Sequence, residues 1–203
     1  MAGYGLRPVG KGGTTITDYD SGGFWEYPIV DGSTIKFYNG DTVELDVNGY
    51  AIRAGGAAGQ SPTSVDGFRP IGVAVGFKYT NSSSTPVWSQ WYDGNAANTN
   101  ISVMCSDDPN QIFMIRSSGD TTFADVGFNA ELATTNVTDA NDINGVSGIT
   151  LNDATIAATA TFGLRIVGNA NQEATTATTR DVLVRFNHGT HATTNPTGTT
   201  AEA

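Results

Sequence analysis

Histidine, cysteine, positive charge and long apolar runs are all scarce in this chain, and each scarcity excludes something. The lone Cys105 rules out an intrachain disulfide. Within the alternating run Ile101-Ser102-Val103-Met104-Cys105 it reads as a small core residue. The two histidines, His188 and His191, stand in a Gly/Thr-rich tail with too few ligands beside them for a zinc site. With no histidine in the body of the chain, a Ser/His/Asp or Cys/His relay has no base. G-x-S-x-G, P-loop and G-x-G-x-x-G patterns are also missing.

The acidic pairs Asp18/Asp20 and Asp107/Asp108 are too close in sequence to face each other across a cleft, as glycoside hydrolysis requires. Asp107-Asp108-Pro109-Asn110 is better read as a turn, with Pro109 fixing φ. Asp139–Gly145 starts like a calcium loop, but Ile143 falls where an oxygen ligand belongs and the glycine comes one residue late. No enzyme, metal or cofactor is expected.

Ten basic against 20 acidic residues leave a net charge of −10. Such a balance argues against nucleic acid and against an anionic membrane surface as partners. The N-terminus carries no apolar run of the signal-peptide kind, and no stretch has the length to span a bilayer. The chain is expected to be made in a cytoplasm and to stay soluble there. Charged residues make up only 15% of the chain, so its surface is largely hydroxyl and amide. That surface suits burial against other protein as well as exposure to water.

What is abundant is Gly, Thr, Ser, Asn and alternating apolar residues, a mix that favours short strands and frequent turns. The fold class predicted is all-β: a single antiparallel barrel or sandwich with long loops, an extended N-terminal arm and a disordered C-terminal tail. Ser33–Arg53 is the clearest stretch. Val43, Leu45 and Val47 alternate with Thr42, Glu44 and Asp46, which predicts a strand with a dry and a wet face. Asn48-Gly49 predicts a two-residue hairpin turn leading into Tyr50–Arg53. Ile35, Phe37 and Tyr38 predict a third strand of the same meander, against whose apolar face the other strands pack.

Residues 1–24 read as a Gly-rich arm that is mobile or lies along a neighbour. Residues 25–187 form the body, with 133–163 as a loop-rich excursion holding only a short strand at Ile149 and Leu151. Residues 188–203 form the tail. In Arg69–Thr80, Ile71, Val73, Val75 and Phe77 share one face, while Gly72, Ala74 and Gly76 let something approach the other. Further strands are expected at Pro86–Tyr92, Ile101–Cys105, Gln111–Arg116, Gly163–Gly168 and Asp181–Phe186, and one helical turn at Phe123–Val126 capped by Thr121 or Thr122. Trp88, Trp91 and Tyr92 in one strand are either packing and interface residues or a platform for stacking on sugar rings.

The succession of segments has a resemblance of its own. GYGLRPVG at the start is followed by IKFYNGDTVEL at Ile35–Leu45 and by a Gly-rich hairpin at Gly67–Gly94 ending WSQWYDG. DDPNQIFMIRSSGDTTFADVGFNAEL covers Asp107–Leu132, and LRIVG precedes DVLVRFNHG. From Gly3 to about Gly189 this order resembles capsid decoration (cement) proteins of tailed, marine-type bacteriophages. The G-D-x-V-x-L element is similar, more loosely, to β-tulip decoration modules.

The resemblance implies a virion structural protein without an active site, made in the host cytoplasm. It would bind the outer surface of the major capsid protein shell as a homotrimer and cross-link subunits. It also implies that Tyr4, Leu6, Arg7, Pro8 and Lys11 lie along the capsid, with the two cations meeting acidic groups, and that Trp88, Trp91 and Tyr92 are interface anchors or core. A virion-borne glycan-binding or host-recognition protein, or another head or tail subunit, are the competing readings.

Overall fold

The computed structural model describes residues 3–11, 24–54, 69–133, 144–170 and 179–187. They fold into twelve strands and one short 3-10 turn, arranged as two six-stranded sheets. The chain is all-β, as its composition requires.

In chain order the strands are β1 Arg7–Lys11, β2 Phe24–Pro28, β3 Thr42–Leu45, β4 Ala51–Arg53, β5 Gly72–Thr80 and β6 Pro86–Ser89. They continue with β7 Thr99–Ser106, β8 Gln111–Thr121, β9 Asn129–Ala133, β10 Thr150–Ala157, β11 Leu164–Asn169 and β12 Thr179–Phe186. The 3-10 turn spans Phe123–Asp125 with Thr122 as its N-cap, and the Thr122 N–H donates to Asp125 Oδ2 at 2.7 Å.

The later strands close a barrel in the order β8-β10-β9-β11-β12, with β12 returning to β8. Every pairing in it is antiparallel except β8 with β10, which is parallel. Along β8, Gln111, Phe113, Ile115 and Ser117 turn inward while the residues between them are less covered, the period-two pattern of a strand with one dry face. Phe113, Ile115, Leu132, Leu151, Leu164, Ile166, Val182 and Val184 fill the interior. The 133–163 excursion is thus half wrong as read. Thr150–Ala157 is an eight-residue barrel strand, masked in the sequence by Asn152, Asp153 and Thr155, whose side chains bond to Ala154 N, Ser118 Oγ and Asn152 O.

β1 pairs antiparallel with β8 beside β10. The expectation of an arm with no reason to fold on its own body is therefore corrected for residues 3–11; residues 12–23 lie outside the described part. The anchor is Leu6, fully buried in the barrel core, a burial that contributes about 1.5–3 kcal/mol. Access to that position depends on two glycines. Gly5 (φ 69°) and Gly40 (φ 93°) cross so closely that a Cβ on Gly5 would sit 2.6 Å from Gly40 O, and one on Gly40 2.9 Å from Tyr4 O. Leu6 N–H donates to Gly40 O at 2.9 Å across this crossing.

The second sheet runs β2-β7-β5-β3-β4, with β6 also on β5. Its inner face holds Ala74, Phe77, Ile101, Val103 and Cys105, closed over by Ile29, Phe37 and Tyr92. The Ser33–Arg53 stretch is not the centre; its hairpin lies at one end of this sheet. Phe37 makes only an isolated bridge to Tyr92, so the third meander strand is absent. The dry and wet faces of β3 are also misread. Thr42 and Glu44 are buried, whereas Leu45 is partly exposed and Val47 is 87% exposed at the hairpin tip. In β5 the register slips between Ala74 and Gly76. Val73 therefore joins the barrel core, while Ala74 and Phe77 join the other. The small residues do permit close approach: a Cβ on Gly72 would overlap Ser106 O of β7.

Two hairpins share one loop design. After β3, Asp46 N–H donates to Tyr50 O and Gly49 N–H to Asp46 O, while Asp46 Oδ1 accepts from Asn48 N and Tyr50 N, both at 2.8 Å. After β5, Asn81 pairs with Thr85 and Ser84 N–H donates to Asn81 O, with Asn81 Oδ1 accepting from Ser83 N and Thr85 N. Each is a three-residue loop whose last residue is left-handed, so the expected two-residue Asn-Gly turn is corrected. That residue is Gly49 (φ 83°) in one loop and Ser84 (φ 58°) in the other. A left-handed non-glycine residue carries strain. Ser84→Gly is expected to raise stability by about 0.5–1 kcal/mol after glycine's own entropy cost. Urea unfolding checks it, and a loss of stability would contradict the loop assignment.

Candidate interaction surface

The N-terminal candidates are already engaged by the chain itself. Leu6 is buried. The Tyr4 hydroxyl donates to Asp181 Oδ1 at 2.9 Å, and Arg116 grips the same carboxylate through Nε at 3.1 Å and Nη2 at 3.3 Å. Arg7 and Arg116 stack on the Tyr4 ring at 4.5 and 5.5 Å. Burial alone would raise the Asp181 carboxyl, but the bonds from Arg116 and Tyr4 hold it below the usual carboxylate range; burial and Asp181 push the Tyr4 phenol up. This knot fastens β1 to β8 and β12. Leu6 is thus removed from any surface role, Tyr4 and Pro8 are half-covered, and Arg7 stays exposed. Lys11 closes β1 opposite Gln111.

The three aromatics expected to act together are separated. Strand β6 stops at Ser89, where Ser89 Oγ accepts from Trp91 N at 3.3 Å. The bend inverts the alternation. Tyr92 turns into the core, fully buried, with its hydroxyl donating to Ser33 O at 2.8 Å; burial pushes that phenol up to about 12. Trp91 stacks on Tyr38, ring centroids 5.9 Å apart and planes 3° from parallel, and lies over Gly145, where a Cβ would be 2.7 Å from the indole. Trp88 alone stays in the open, at 65% exposure. A continuous three-ring platform is excluded.

What Trp88 joins is the outer face of the second sheet. Register places Phe24, Glu26 and Pro28 of β2 beside Ser106, Met104 and Ser102 of β7. Gly76 and Lys78 of β5 lie against Met104 and Ser102, and Trp88 of β6 against Lys78. Paired residues share a face, so these side chains form one surface. Ser102 Oγ donates to Glu26 Oε1 at 2.6 Å. Lys78 Nζ is 3.5 Å from the same oxygen and 5.4 Å from the Trp88 ring centroid. The Ser102 hydrogen bond and then Lys78 hold the Glu26 carboxyl below its usual range. A Cβ on Gly76 would lie 2.7 Å from the Met104 methyl, so Met104 covers that glycine as part of the floor.

Beside this face runs the edge. β2 ends the sheet. Phe24 and Trp25 on it, and Val30 just beyond, are exposed, Trp25 by 64%. Edge strands with large apolar side chains are templates for association. β2 straddles the expected boundary between the arm, 1–24, and the body, 25–187, and so is not among the expected strands. The alternation of Phe24/Glu26/Pro28 against Trp25/Tyr27 was the available signal.

Among the described residues, no group of three or more His, Cys, Asp or Glu is placed to hold a metal ion. His188, His191, Asp18, Asp20 and the Asp139–Ile143 part of the acidic loop lie outside those residues. Asp108 does form the turn expected of it, accepting from Asn110 N at 2.8 Å, and Asp107 accepts from the Tyr27 hydroxyl at 2.9 Å. No family model, curated protein or solved structure matches the chain.

Proposed function

We propose that the chain is a virion structural protein that decorates the outside of a phage head, docking on the major capsid protein and clamping neighbouring subunits. The observation that carries this reading is the exposed aromatic edge of β2, borne by a body with two packed cores. It is joined by the order of segments that resembles decoration proteins. A ligand that binds the assembled shell and not its dissociated subunits stabilises the shell by mass action. Repetition over many sites makes modest contacts sufficient. A trimer is the assembly the resemblance implies.

The test is sedimentation of purified protein with isolated expanded capsids. Wild type is expected to pellet with shells at a copy number comparable to the capsid protein. Trp25→Ala, at an exposed position, is expected to stay folded and to lower that occupancy about tenfold, the order of effect of a lost aromatic anchor. A wild type that ignores shells contradicts the reading.

A further inference from the structure

We infer that the outer face around Trp88 is a binding site for a neutral hexose-type glycan. The inference does not rest on the decoration reading. It starts from the mixture of chemistries on that face. An indole 65% exposed projects from the middle of a strand, where the ladder with β5 fixes its backbone. Its register neighbour is the Lys78 ammonium, 5.4 Å from the ring centroid, and beyond Lys78 the Glu26 carboxylate and the Ser102 hydroxyl are held by the Lys78–Glu26 and Ser102–Glu26 contacts. A purely protein-binding hot spot of this kind has an apolar surround that excludes water. Here a flat ring stands beside an ammonium, with the exposed Glu26 carboxylate held behind it by Ser102 and Lys78. A pyranose matches both halves: its C–H face lies on an aromatic ring, and its equatorial hydroxyls bond to charged planar and amino groups.

Charge narrows the class. Lys78, the cation beside the indole, is neutralised by Glu26, and the whole chain carries −10. Sialylated or sulfated chains would therefore meet repulsion with no compensating cation in the cluster. With Trp91 and Tyr92 turned away, one ring supplies the stacking. The face takes one sugar ring through Trp88, and Met104 and Phe24 extend the floor along the sheet.

The test is titration of the full chain with malto-, cello- and laminari-hexaose, with sialyllactose as the anionic comparison, followed by calorimetry and tryptophan fluorescence. Binding of at least one neutral oligomer is expected, on the order of millimolar for a shallow single-ring site, and sialyllactose is expected not to bind. Trp88→Ala is expected to weaken binding at least about tenfold. Glu26→Gln, which keeps the indole, is expected to weaken it several-fold while circular dichroism is unchanged. Absence of binding by all three neutral oligomers, equal binding of sialyllactose, or an affinity unchanged in Trp88→Ala would each overturn the inference. Shell sedimentation of the same variants separates the two proposals. Trp88→Ala that loses sugar but still pellets with shells supports a distinct glycan site; loss of shell binding with no glycan bound assigns the face to the capsid instead.

Discussion

Replacing Asp41 by Ala is expected to lower the unfolding free energy by about 3–5 kcal/mol, the range for removing one partner of a buried ion pair. Asp41 sits where the two sheets meet. Its side chain is 2% exposed and lies 3.8 Å from Arg53 Nη1, itself 15% exposed. Oδ2 also accepts from Tyr38 N at 2.9 Å, and Ser147 donates a further hydrogen bond from the barrel side. Around it, Asn39 N–H donates to Gly145 O and Ser147 N–H to Asn39 O. Burial raises the Asp41 carboxyl even against the pull of Arg53, so the site is costly to keep.

Arg53 Nε already has no hydrogen-bond partner. Without Asp41, the guanidinium loses its counter-charge and the Tyr38 N–H loses this acceptor. The double variant Asp41→Ala/Arg53→Met is expected to recover most of the loss, because the stranded charge goes too. Guanidinium unfolding of the two single variants and the double variant measures the coupling. Additive losses would show that the pair is not the joint described here.

The second large effect concerns Glu44. Its side chain is 6% exposed, and Oε1 accepts from Arg69 N at 2.9 Å. Burial pushes its carboxyl up to about 7, the Arg69 N–H opposing only in part. The folded value thus lies above the ordinary unfolded value of about 4.5. The fold binds the proton more tightly than the unfolded chain does, so this contribution is fully present below about pH 4.5 and is lost as pH rises to about 7.

Wild type is accordingly expected to lose on the order of 2–3 kcal/mol from this group between pH 4.5 and pH 8. Glu44→Gln is expected to raise stability at pH 8 by a similar amount and to flatten the pH dependence. Any slope that Asp41 adds in the same direction remains in the variant, so the difference between the two proteins isolates Glu44. A variant equally stable or weaker at pH 8 would contradict the burial of an uncompensated carboxylate.

These two residues also show where sequence stops being legible. Alternation located β3, but the choice of inner face failed. The rule that apolar positions face inward assumes one sheet face and one core. At the junction, Thr42 and Val43 are both buried, because cover comes from two sides, and Glu44 follows them in. Alternation located β7, β8, β11 and β12, since the apolar residues that reach the core keep one parity in each: Ile101, Val103 and Cys105, Phe113 and Ile115, Leu164 and Ile166, Val182 and Val184. The register slips of β11 after Ile166 and of β12 before Asp181 fall outside those runs.

It failed at β5 and after Ser89 for a different reason. A bulge at Val75 and a bend held by Ser89 Oγ each shift parity by one, and neither leaves a mark in composition. For the candidate surface, the aromatic cluster was visible but its unity was not. Only register across four strands brings Glu26, Ser102, Lys78 and Trp88 together, and the outermost two, Glu26 and Ser102, are 76 positions apart in the chain. The N-terminal segment was misjudged because its one strong apolar residue, Leu6, is isolated among glycines. Those glycines are what let it reach the barrel.

The proposed action of the chain is to clamp a protein lattice from outside. It is tested most directly by measuring how shells survive heating and osmotic shock with and without the bound protein. Decorated shells are expected to rupture at higher temperature and to retain their DNA through a dilution that empties undecorated ones, with the protection lost in Trp25→Ala. Identical survival of the two kinds of particle would contradict the account.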